Sequence, residues 1–387
     1  MAQPYAEVAD LVEPLTAFRR DLHANPELGF AEHRTAGRIA QALTALGLEV
    51  RTGLGGTGVV GVLRNGASTR RIALRADMDA LPIEEQTGLA YASRSAGVFH
   101  GCGHDGHVAM LLGAAQHLAR TRRFDGTVSF IFQPAEEGLG GARAMIQAGL
   151  FEQFPADEVY ALHNWPDLPA GTLATRPGPI MAAADRFDIT LTGRGGHAAL
   201  PHQTPDAILA ASQLVGQLNT IIARRVAPTD AAVLSVTQIH GGHAHNVLPA
   251  SVSVVGTVRT FDPAVQDEIE RTLRAMTAGV AESFGVAGEV RYDRYYPATI
   301  NHEAAAGHAL AAARCACCRA VVAPEPAFTS EDFAFMLQVK EGAYAWLGQG
   351  GAGAATPLHH PRYDFNDQVI PMGLSWHVAL AEQRLSA

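Results

Sequence analysis

The pattern of apolar and polar positions predicts alternating helices and strands from residue 5 to residue 133. Residues 5–47 read as two helices joined by a HANPE turn, followed by three strand-like runs, LEVRTG, GVVGVL and RRIALRAD. A helix over about 106–121 and a β-branched strand, TVSFIFQ, complete the series. The apolar run IALRA ends in polar DMD, which is typical of a buried strand whose carboxyl end carries a site. This alternation predicts a layered α/β domain.

Beyond residue 183 the apolar positions recur with a period of two. DRFDITLTGR and SVSVVGTVRTF alternate in this way, and an amphipathic helix, TPDAILAASQLVGQLNTIIARR, lies between them. A second long helix and EVRYDRYYP follow, which predicts an inserted α+β unit of βαββαβ, ferredoxin-like order. After Pro297 the chain returns to helix and strand material. We therefore predict a discontinuous catalytic domain with a central mixed sheet, residues 1–183 and 294–387, and a smaller lid or dimerisation domain, residues 184–293.

Length and charge exclude several classes of function. At 387 residues the chain is longer than a single core usually grows, so two domains are expected. The net charge of −9 at pH 7 argues against a nucleic-acid partner, which needs a basic face. The longest apolar run, residues 108–115, falls far short of the roughly 20 residues that span a bilayer, and the N-terminus shows no signal-peptide pattern. We expect a soluble, cytoplasmic protein with no membrane partner.

Three of the four cysteines lie together near the C-terminus, in a CACC run: Cys315, Cys317 and Cys318. This run lies within an Ala-rich stretch, HEAAAGHALAAARCACCRA, that we predict to be helical throughout. Cysteines two or three residues apart on a helix do not form a disulfide framework. Two interpretations stay open, small helix-packing residues or a redox or metal clip, and the first is favoured.

The segment HGCGHDGH, residues 100–107, concentrates ligand-type side chains between glycines. Cys102 and His104 are one residue apart in a glycine-rich loop, where their side chains can converge on one point. A thiolate and an imidazole together suit a borderline divalent ion such as Zn²⁺, Ni²⁺, Co²⁺ or Mn²⁺. A polar loop rich in histidine has the same composition, so both interpretations stay open on this segment alone.

Three further segments carry ligand-type residues at the ends of strands or loops. In SFIFQPAEEG, Glu136 and Glu137 follow a strand that Pro134 ends, and a cation would offset the repulsion between the two carboxylates. A solvated helix N-terminus explains the pair equally well. His163 ends an apolar strand in VYALHNWP, and TPLHHPRYDFND places a His pair before a proline. Each histidine alone is more typical of a structural role, but four such segments together favour a metal site.

At these segments the sequence resembles the aminoacylase and carboxypeptidase family of two-metal hydrolases, in its hippurate hydrolase (N-acyl-amino-acid amidohydrolase) branch. The matching segments cover nearly the whole chain in order: RRDLHANPELGF, ALRADMDALPIEE, HGCGHDGHVAMLLGAA, FQPAEEGLGGARAMI, ALHNWPDLPAGT, GRGGHAALPHQTPDAI, HNVLPASVSVVGTVRTFD, TSEDFAFM and LHHPRYDFND. The resemblance implies hydrolysis of N-acyl amino acids. A dipeptidase or carboxypeptidase is an alternative, although such relatives generally carry Asp where this chain has Cys102. An inactive metal-binding relative is a further alternative.

The resemblance also implies two divalent metal ions per chain and five protein ligands: Cys102, His104, Glu137, His163 and His359. Cys102 is the expected bridge between the two ions. Where many relatives carry a ligand histidine this chain has Arg75, and Asp77 is expected to orient a ligand without binding metal itself. Three more histidines are not carried over and are expected in loops or around the ligands: His100, His107 and His360.

Four residues have implied roles toward the substrate. Glu136 is the implied general base, and His197 of the smaller domain is the implied donor to the developing oxyanion. Asn246 and Arg259 are candidates for binding the free carboxylate of a small N-acyl amino acid, with a surface strand position as the alternative for Arg259. The smaller domain is implied to mediate a homodimer, or a tetramer, in which His197 reaches the partner subunit's site.

Overall fold

The computed structural model describes residues 6–316, 318–323, 325–350 and 356–386. The α-helices of this part of the chain are α1 (Ala9–Ala24), α2 (His33–Ala45), α3 (His104–Thr121), α4 (Gly141–Gln147), α5 (Leu150–Gln153), α6 (Ala207–Leu218), α7 (Thr220–Arg225), α8 (Pro263–Phe284), α9 (Glu303–Cys315), α10 (Ala334–Leu337) and α11 (Ile370–Arg384). The strands are β1 (Glu49–Leu54), β2 (Gly58–Asn65), β3 (Arg71–Asp77), β4 (Gly126–Gln133), β5 (Glu158–Pro169), β6 (Thr172–Thr175), β7 (Gly178–Met181), β8 (Ala183–Thr192), β9 (Gly196–His197), β10 (Ala232–His240), β11 (Val247–Leu248), β12 (Ser251–Thr260), β13 (Ala287–Tyr296), β14 (Thr299–Asn301), β15 (Arg319–Val322) and β16 (Glu341–Gly350).

The first of two compact units, unit 1, consists of Met1–Ile180, Ile300–Glu325 and Asp332–Ala387. Its eight-stranded sheet has the order β1-β2-β4-β3-β5-β16-β6-β15. The central strands β4, β3, β5 and β16 run parallel, whereas β1 and β2 pair antiparallel at one end. The carboxyl ends of parallel strands meet at one edge, which is where open α/β sheets bind ligands. The predicted α/β class with a central mixed sheet is confirmed.

Helix α3 lies at the centre of the helical layer of unit 1. It packs against α1 and α11, and α11 in turn packs against α9. The stretch from Val108 to Ala115 is buried because α3 has neighbours on most of its surface. Such burial explains why its sequence lacks a polar face. Within the described residues, no helix combines the length and the apolar character needed to cross a bilayer.

The second compact unit, unit 2, consists of Met181–Thr299 and Pro326–Glu331. Its antiparallel sheet has the order β10-β12-β8-β13, and apolar side chains of α6 and α8 pack on it. The elements follow one another in the predicted βαββαβ order. The first predicted helix is interrupted at Asn219, between α6 and α7. The limits 184 and 293 proposed for a separate domain stay a prediction.

The CACC run departs from its predicted structure. Helix α9 ends at Cys315, so the run is not helical throughout. Cys315 is exposed and Cys318 is buried, whereas Cys317 lies outside the described residues. The prediction of helix-packing cysteines is therefore wrong for Cys315, because the end of the helix leaves its side chain in solvent.

Candidate metal centre

The five predicted ligands converge at the carboxyl edge of β3, β4 and β5, and we call them the metal cluster: Cys102, His104, Glu137, His163 and His359. Cys102 Sγ lies 3.4 Å from His163 Nε2, and His359 Nε2 lies 3.2 Å from Glu137 Oε1. Ligand atoms of Cys102, His104 and Glu137 all lie within 4.8 Å of one another. The structure therefore brings together residues that are up to 257 positions apart in the sequence.

His104 occupies the first turn of α3, so it lies on a helix and not in the predicted glycine-rich loop. The preceding Gly103 has φ 91°, and a Cβ there would lie 2.4 Å from Asn164 Oδ1, so this sharp entry requires glycine. His104 Nδ1 donates to the backbone oxygen of Asp79 at 2.9 Å and lies 3.2 Å from its Oδ1. Asp79 thereby fixes the tautomer and directs Nε2 toward the metal cluster.

A tight turn after β4 carries the glutamate pair. Ala135 adopts φ 53°, and the Gly141 N–H donates to its carbonyl oxygen at 3.0 Å. A Cβ at Gly141 would lie 1.7 Å from the Pro134 oxygen, so the turn can close only with glycine at this position. The turn places both glutamates at the edge of the sheet immediately after the strand.

The two glutamates differ in their contacts. Glu136 is buried, and its Oε1 accepts a hydrogen bond from the Asp332 N–H at 3.3 Å. The backbone N–H of Glu137 donates to Asp79 Oδ2 at 3.0 Å, while its carboxylate lies 4.0 Å from His104 Nε2. The side chain of Glu137 therefore faces the metal cluster, whereas that of Glu136 is held by the segment that begins at Asp332.

The two remaining histidines of the metal cluster are held by their own backbone surroundings. His163 Nδ1 donates to the Asn164 oxygen at 2.7 Å, which turns Nε2 toward Cys102. Its strand continues to Pro169, so His163 lies inside the strand and not at its end as predicted. His359 adopts φ 64°, its N–H donates to the Gly101 oxygen at 2.8 Å, and its side chain is 51% exposed. It is the most accessible of the five.

Asp77 contacts residues around the metal cluster. Its Oδ1 accepts a hydrogen bond from His107 Nδ1 at 2.5 Å, and its Oδ2 lies 2.7 Å from Arg75 NH1. Its distance to His104 Nε2 is longer, 3.8 Å. The carboxylate that orients His104 is Asp79, which the sequence reasoning missed. The second acid of the DMD segment was the signal that could have identified it.

The pKa values of two residues of the metal cluster, Cys102 and His104, are both raised. Burial, together with Glu137 and Glu136, raises the pKa of the Cys102 thiol well above its usual range. Burial lowers the pKa of His104, but Asp77 and other carboxylates outweigh it and raise that pKa to about 10. The nearby carboxylates contribute to both shifts. A bound cation reverses this situation and stabilises the thiolate form.

Two buried atoms at the centre of the metal cluster, His104 Nε2 and Glu137 Oε1, form no hydrogen bond among the described residues, and Glu137 Oε1 has only the ion-pair contact to His359 Nε2 at 3.2 Å. Buried polar atoms are rarely left unpaired because desolvation without a partner is costly. A divalent cation would satisfy both, and a set of thiolate, imidazole and carboxylate suits a borderline ion. The residues present therefore fit a divalent metal ion.

The three candidate substrate residues belong to unit 2. His197 lies in β9 and is exposed, and the Ala199 N–H donates to its Nδ1 at 3.1 Å. Strand β9 pairs with β11, and the Ala198 N–H donates to the Asn246 oxygen at 3.1 Å, so His197 and Asn246 are neighbours. Arg259 lies in β12, where its NH1 donates to the carbonyl oxygen of the preceding residue at 3.0 Å.

Comparisons with known proteins assign the chain to a family. The model of peptidase family M20/M25/M40 matches residues 73–383. The hippurate hydrolase of Campylobacter jejuni is 39% identical over 382 residues, which cover 97% of each chain. Thermostable carboxypeptidase 2 of Saccharolobus solfataricus is 37% identical, over 97% of this chain and 96% of that protein.

A solved structure adds evidence on the fold and on metal binding in relatives. It is a dinuclear metal-binding peptidase of the M20 family from Bacillus subtilis, 34% identical to this chain. The match covers 97% of this chain and 99% of that chain, with a TM-score of 0.85. The resemblance inferred from the motifs is confirmed, and the chain belongs to peptidase family M20/M25/M40.

Proposed function

We propose that this protein is a metal-dependent amidohydrolase that cleaves N-acyl amino acids into a carboxylic acid and an amino acid. The metal cluster would hold two divalent ions, Zn²⁺, Mn²⁺, Co²⁺ or Ni²⁺, and Cys102 would be a ligand to both. The observation that carries the proposal is the pair of atoms at its centre, His104 Nε2 and Glu137 Oε1, which lie 4.0 Å apart and form no hydrogen bond among the described residues. The similarity to a hippurate hydrolase supports the substrate class, since hippurate is N-benzoylglycine.

Glu136 is the proposed general base. Bound ions supply Lewis acidity, which lowers the pKa of water and polarises a carbonyl group. The Glu136 carboxylate takes one proton from the attacking water and returns it to the leaving nitrogen, so the proton balance closes within one turnover. Its hydrogen bond from the Asp332 N–H and its burial support this role, because they hold the carboxylate in one position.

His197 is the proposed donor to the oxyanion that forms from the amide carbonyl. Because the Ala199 N–H donates to Nδ1, the neutral ring carries its proton on Nε2. This nitrogen is therefore a donor, and the ring is exposed. The Nε2–H of His197 can therefore donate a hydrogen bond to the carbonyl oxygen, which becomes negatively charged during amide hydrolysis.

The free carboxylate of the substrate is proposed to bind Asn246 and Arg259. The guanidinium fork matches a carboxylate in a paired, planar arrangement. Recognition of a free carboxylate is compatible with both activities named among the relatives, hippurate hydrolysis and carboxypeptidase activity. An N-acyl amino acid and the C-terminal end of a peptide both present an amide nitrogen next to a carbon that bears a free carboxylate. A carboxypeptidase is thus the second candidate function, and the size of the accepted acyl group separates the two.

A homodimer formed through residues 184–293 is proposed as the functional assembly, with His197 serving the partner subunit's site. Unit 2 exposes several large apolar side chains that a subunit contact would cover: Leu200, Ile208, Leu209, Ile239 and Val247. Strand β10 also lies at the edge of its sheet, where unpaired backbone groups are available to another chain. A tetramer built from such dimers would use the same residues.

Amino-acid release from hippurate tests the proposed function. We expect the metal-stripped protein to be inactive and Mn²⁺, Co²⁺, Ni²⁺ or Zn²⁺ to restore glycine release. The matched control substrate is hippuramide, which keeps the scissile bond but replaces the free carboxylate with a neutral amide, and it should react at least tenfold more slowly. N-benzoylated dipeptides ending in glycine test the carboxypeptidase alternative, which predicts that they react faster than hippurate. No hydrolysis of any of these with any metal contradicts the proposal.

A further inference from the structure

A buried ion network, which we call the Arg19 network, lies in unit 1 and involves residues that the proposed chemistry does not use. Arg19 and His23 lie one turn apart on α1, and neither side chain is exposed. Arg19 Nε lies 2.9 Å from Asp367 Oδ1 and 3.6 Å from Asp105 Oδ2, and its NH2 lies 3.0 Å from Asp364 Oδ1. One guanidinium thus faces three carboxylates.

His23 provides the second cation-type group of the network. Its Nδ1 lies 2.9 Å from Asp105 Oδ2, and its Nε2 lies 3.5 Å from Glu85 Oε1. Asp105 is therefore held from two sides by two residues of α1. Arg19, His23 and Asp105 are fully buried, whereas the side chains of Asp364 and Asp367 are 36% and 17% exposed.

The three carboxylates that face Arg19 belong to chain segments that carry metal-cluster residues. Asp105 directly follows His104 on α3. Asp364 comes five residues after His359, and Arg19 NH2 also donates to the backbone oxygen of Phe365 at 2.8 Å. One arginine therefore contacts both the segment that carries His104 and the segment that carries His359.

Arginine is suited to this position by its geometry. Its five donors lie in one plane and do not change protonation state, so it can join several acceptors rigidly. The shorter donor list and the flexible stem of lysine cannot reproduce contacts to Asp105, Asp364 and Asp367 together. Groups that orient metal ligands typically change metal affinity by about 10–100-fold when they are removed.

We propose that Arg19 is a positioning residue for the metal centre, which holds the His104 and His359 segments at the separation that ion binding requires. The inference rests on the ligand set proposed above. Arg19 does not touch substrate or metal itself. Its loss therefore acts on metal affinity first, and on turnover only through metal occupancy.

The test compares metal affinity in the full-length chain by calorimetric titration of metal-stripped protein with Mn²⁺. Arg19→Met should raise the Kd about 10–100-fold, and Arg19→Lys should raise it less. Arg20→Met is the matched control. Arg20 also pairs with Asp367, at 2.8 Å, but its side chain is 46% exposed, so its loss should leave the Kd within twofold of wild type. Excess Mn²⁺ should restore most of kcat in Arg19→Met.

Further outcomes distinguish a failure of the Arg19 positioning role from a failure of the proposed metal centre. A folded Arg19→Met chain with wild-type Kd would overturn the positioning role, even if its melting temperature falls. Should that variant not fold, Arg19→Lys and Asp364→Asn decide in its place, and a wild-type Kd in both overturns the inference. If the wild-type chain itself binds no Mn²⁺ or Zn²⁺, the proposed metal centre is wrong and this inference falls with it.

Discussion

The metal cluster of unit 1 and the β9–β11 ladder of unit 2 both carry residues with proposed roles, but they hold them in different ways. His104 and His163 are buried, and each has a backbone or carboxylate partner that fixes its ring. His197 and Asn246 are exposed and have local backbone contacts. The buried rings are thus oriented by contacts within unit 1. The exposed donor His197, in contrast, can act only when a substrate or a partner subunit binds next to it.

The largest expected effect separates the two glutamates of the buried site. Glu136→Gln keeps the size of the side chain but removes the base, so turnover should fall by roughly 10²–10⁴ while KM and metal content change little. Glu137→Gln weakens a ligand, so metal content and activity should fall together. Excess metal should then rescue part of the Glu137 variant and none of the Glu136 variant. The opposite pattern would mean that the two roles are exchanged.

Loss of His197 from the exposed β9–β11 ladder should lower kcat by a smaller factor, and this loss should depend on how the subunits assemble. His197→Ala removes the oxyanion donor, and kcat should fall by about 10²–10³. Mixing this variant with Glu136→Gln should restore part of the activity, because one site of the mixed dimer then has both an intact base and an intact donor. Failure to recover activity despite proven subunit exchange would place His197 in its own subunit's site or outside catalysis.

A change at Arg259 should weaken substrate binding, which is a smaller effect than the loss of turnover expected for the His197 variant. Arg259→Lys keeps the charge but loses the paired geometry, so KM for hippurate should rise about tenfold with kcat nearly unchanged. The control is Arg186→Lys on β8 of the same sheet, whose side chain is 58% exposed and pairs with Asp188. Kinetics on hippuramide, which lacks the carboxylate, should be alike in wild type and both variants. An unchanged KM for hippurate leaves Arg259 as a surface strand residue.

The last expected effect is on stability and not on activity, a pH dependence in the buried region. Burial lowers the pKa of His23, but hydrogen bonds to Asp105 and Glu85 outweigh it and raise the pKa to about 9. A raised histidine pKa stabilises the fold fully below the unfolded value near 6.5, and this stabilisation is lost as pH rises through 9. In metal-free protein, the free energy of unfolding relative to His23→Gln should fall by on the order of 1–3 kcal/mol over that range.

Denaturant titrations at pH 6 and pH 9.5 measure this difference. Glu85→Gln is the informative second variant, because it removes one of the two carboxylates that hold the charged ring. It should move the loss of stability to lower pH. Equal pH profiles in wild type and His23→Gln would show that the ring is not charged in the folded protein.

Local sequence patterns predicted most of unit 1. The apolar run before Asp77, the proline after β4 and the glycines around Cys102 each specify a short-range structure, and the resemblance assigned the five ligands that then converged. The length of β5 beyond His163 was not predicted, because its continuation depends on pairing with β16.

Long-range contacts explain what the sequence did not reveal. Asp79 and His104 are 25 positions apart, and their contact depends on how the segment after β3 meets the start of α3. Arg19 and Asp364 are 345 positions apart, and neither lies in a pattern that identifies the other. Periodicity reports which face of an element is buried, but not which charged residues meet there.

The number of ions bound by wild type and by Cys102→Ser tests the central claim, that the metal cluster holds two divalent ions with Cys102 between them. Metal-stripped protein is reloaded with Mn²⁺ or Zn²⁺ and dialysed, and its metal content is measured by mass spectrometry. We predict about two ions per wild-type chain and fewer than one per Cys102→Ser chain, because the loss of a bridging thiolate weakens both positions. Full two-ion occupancy in the serine variant, or no retained metal in the wild-type chain, would contradict the account.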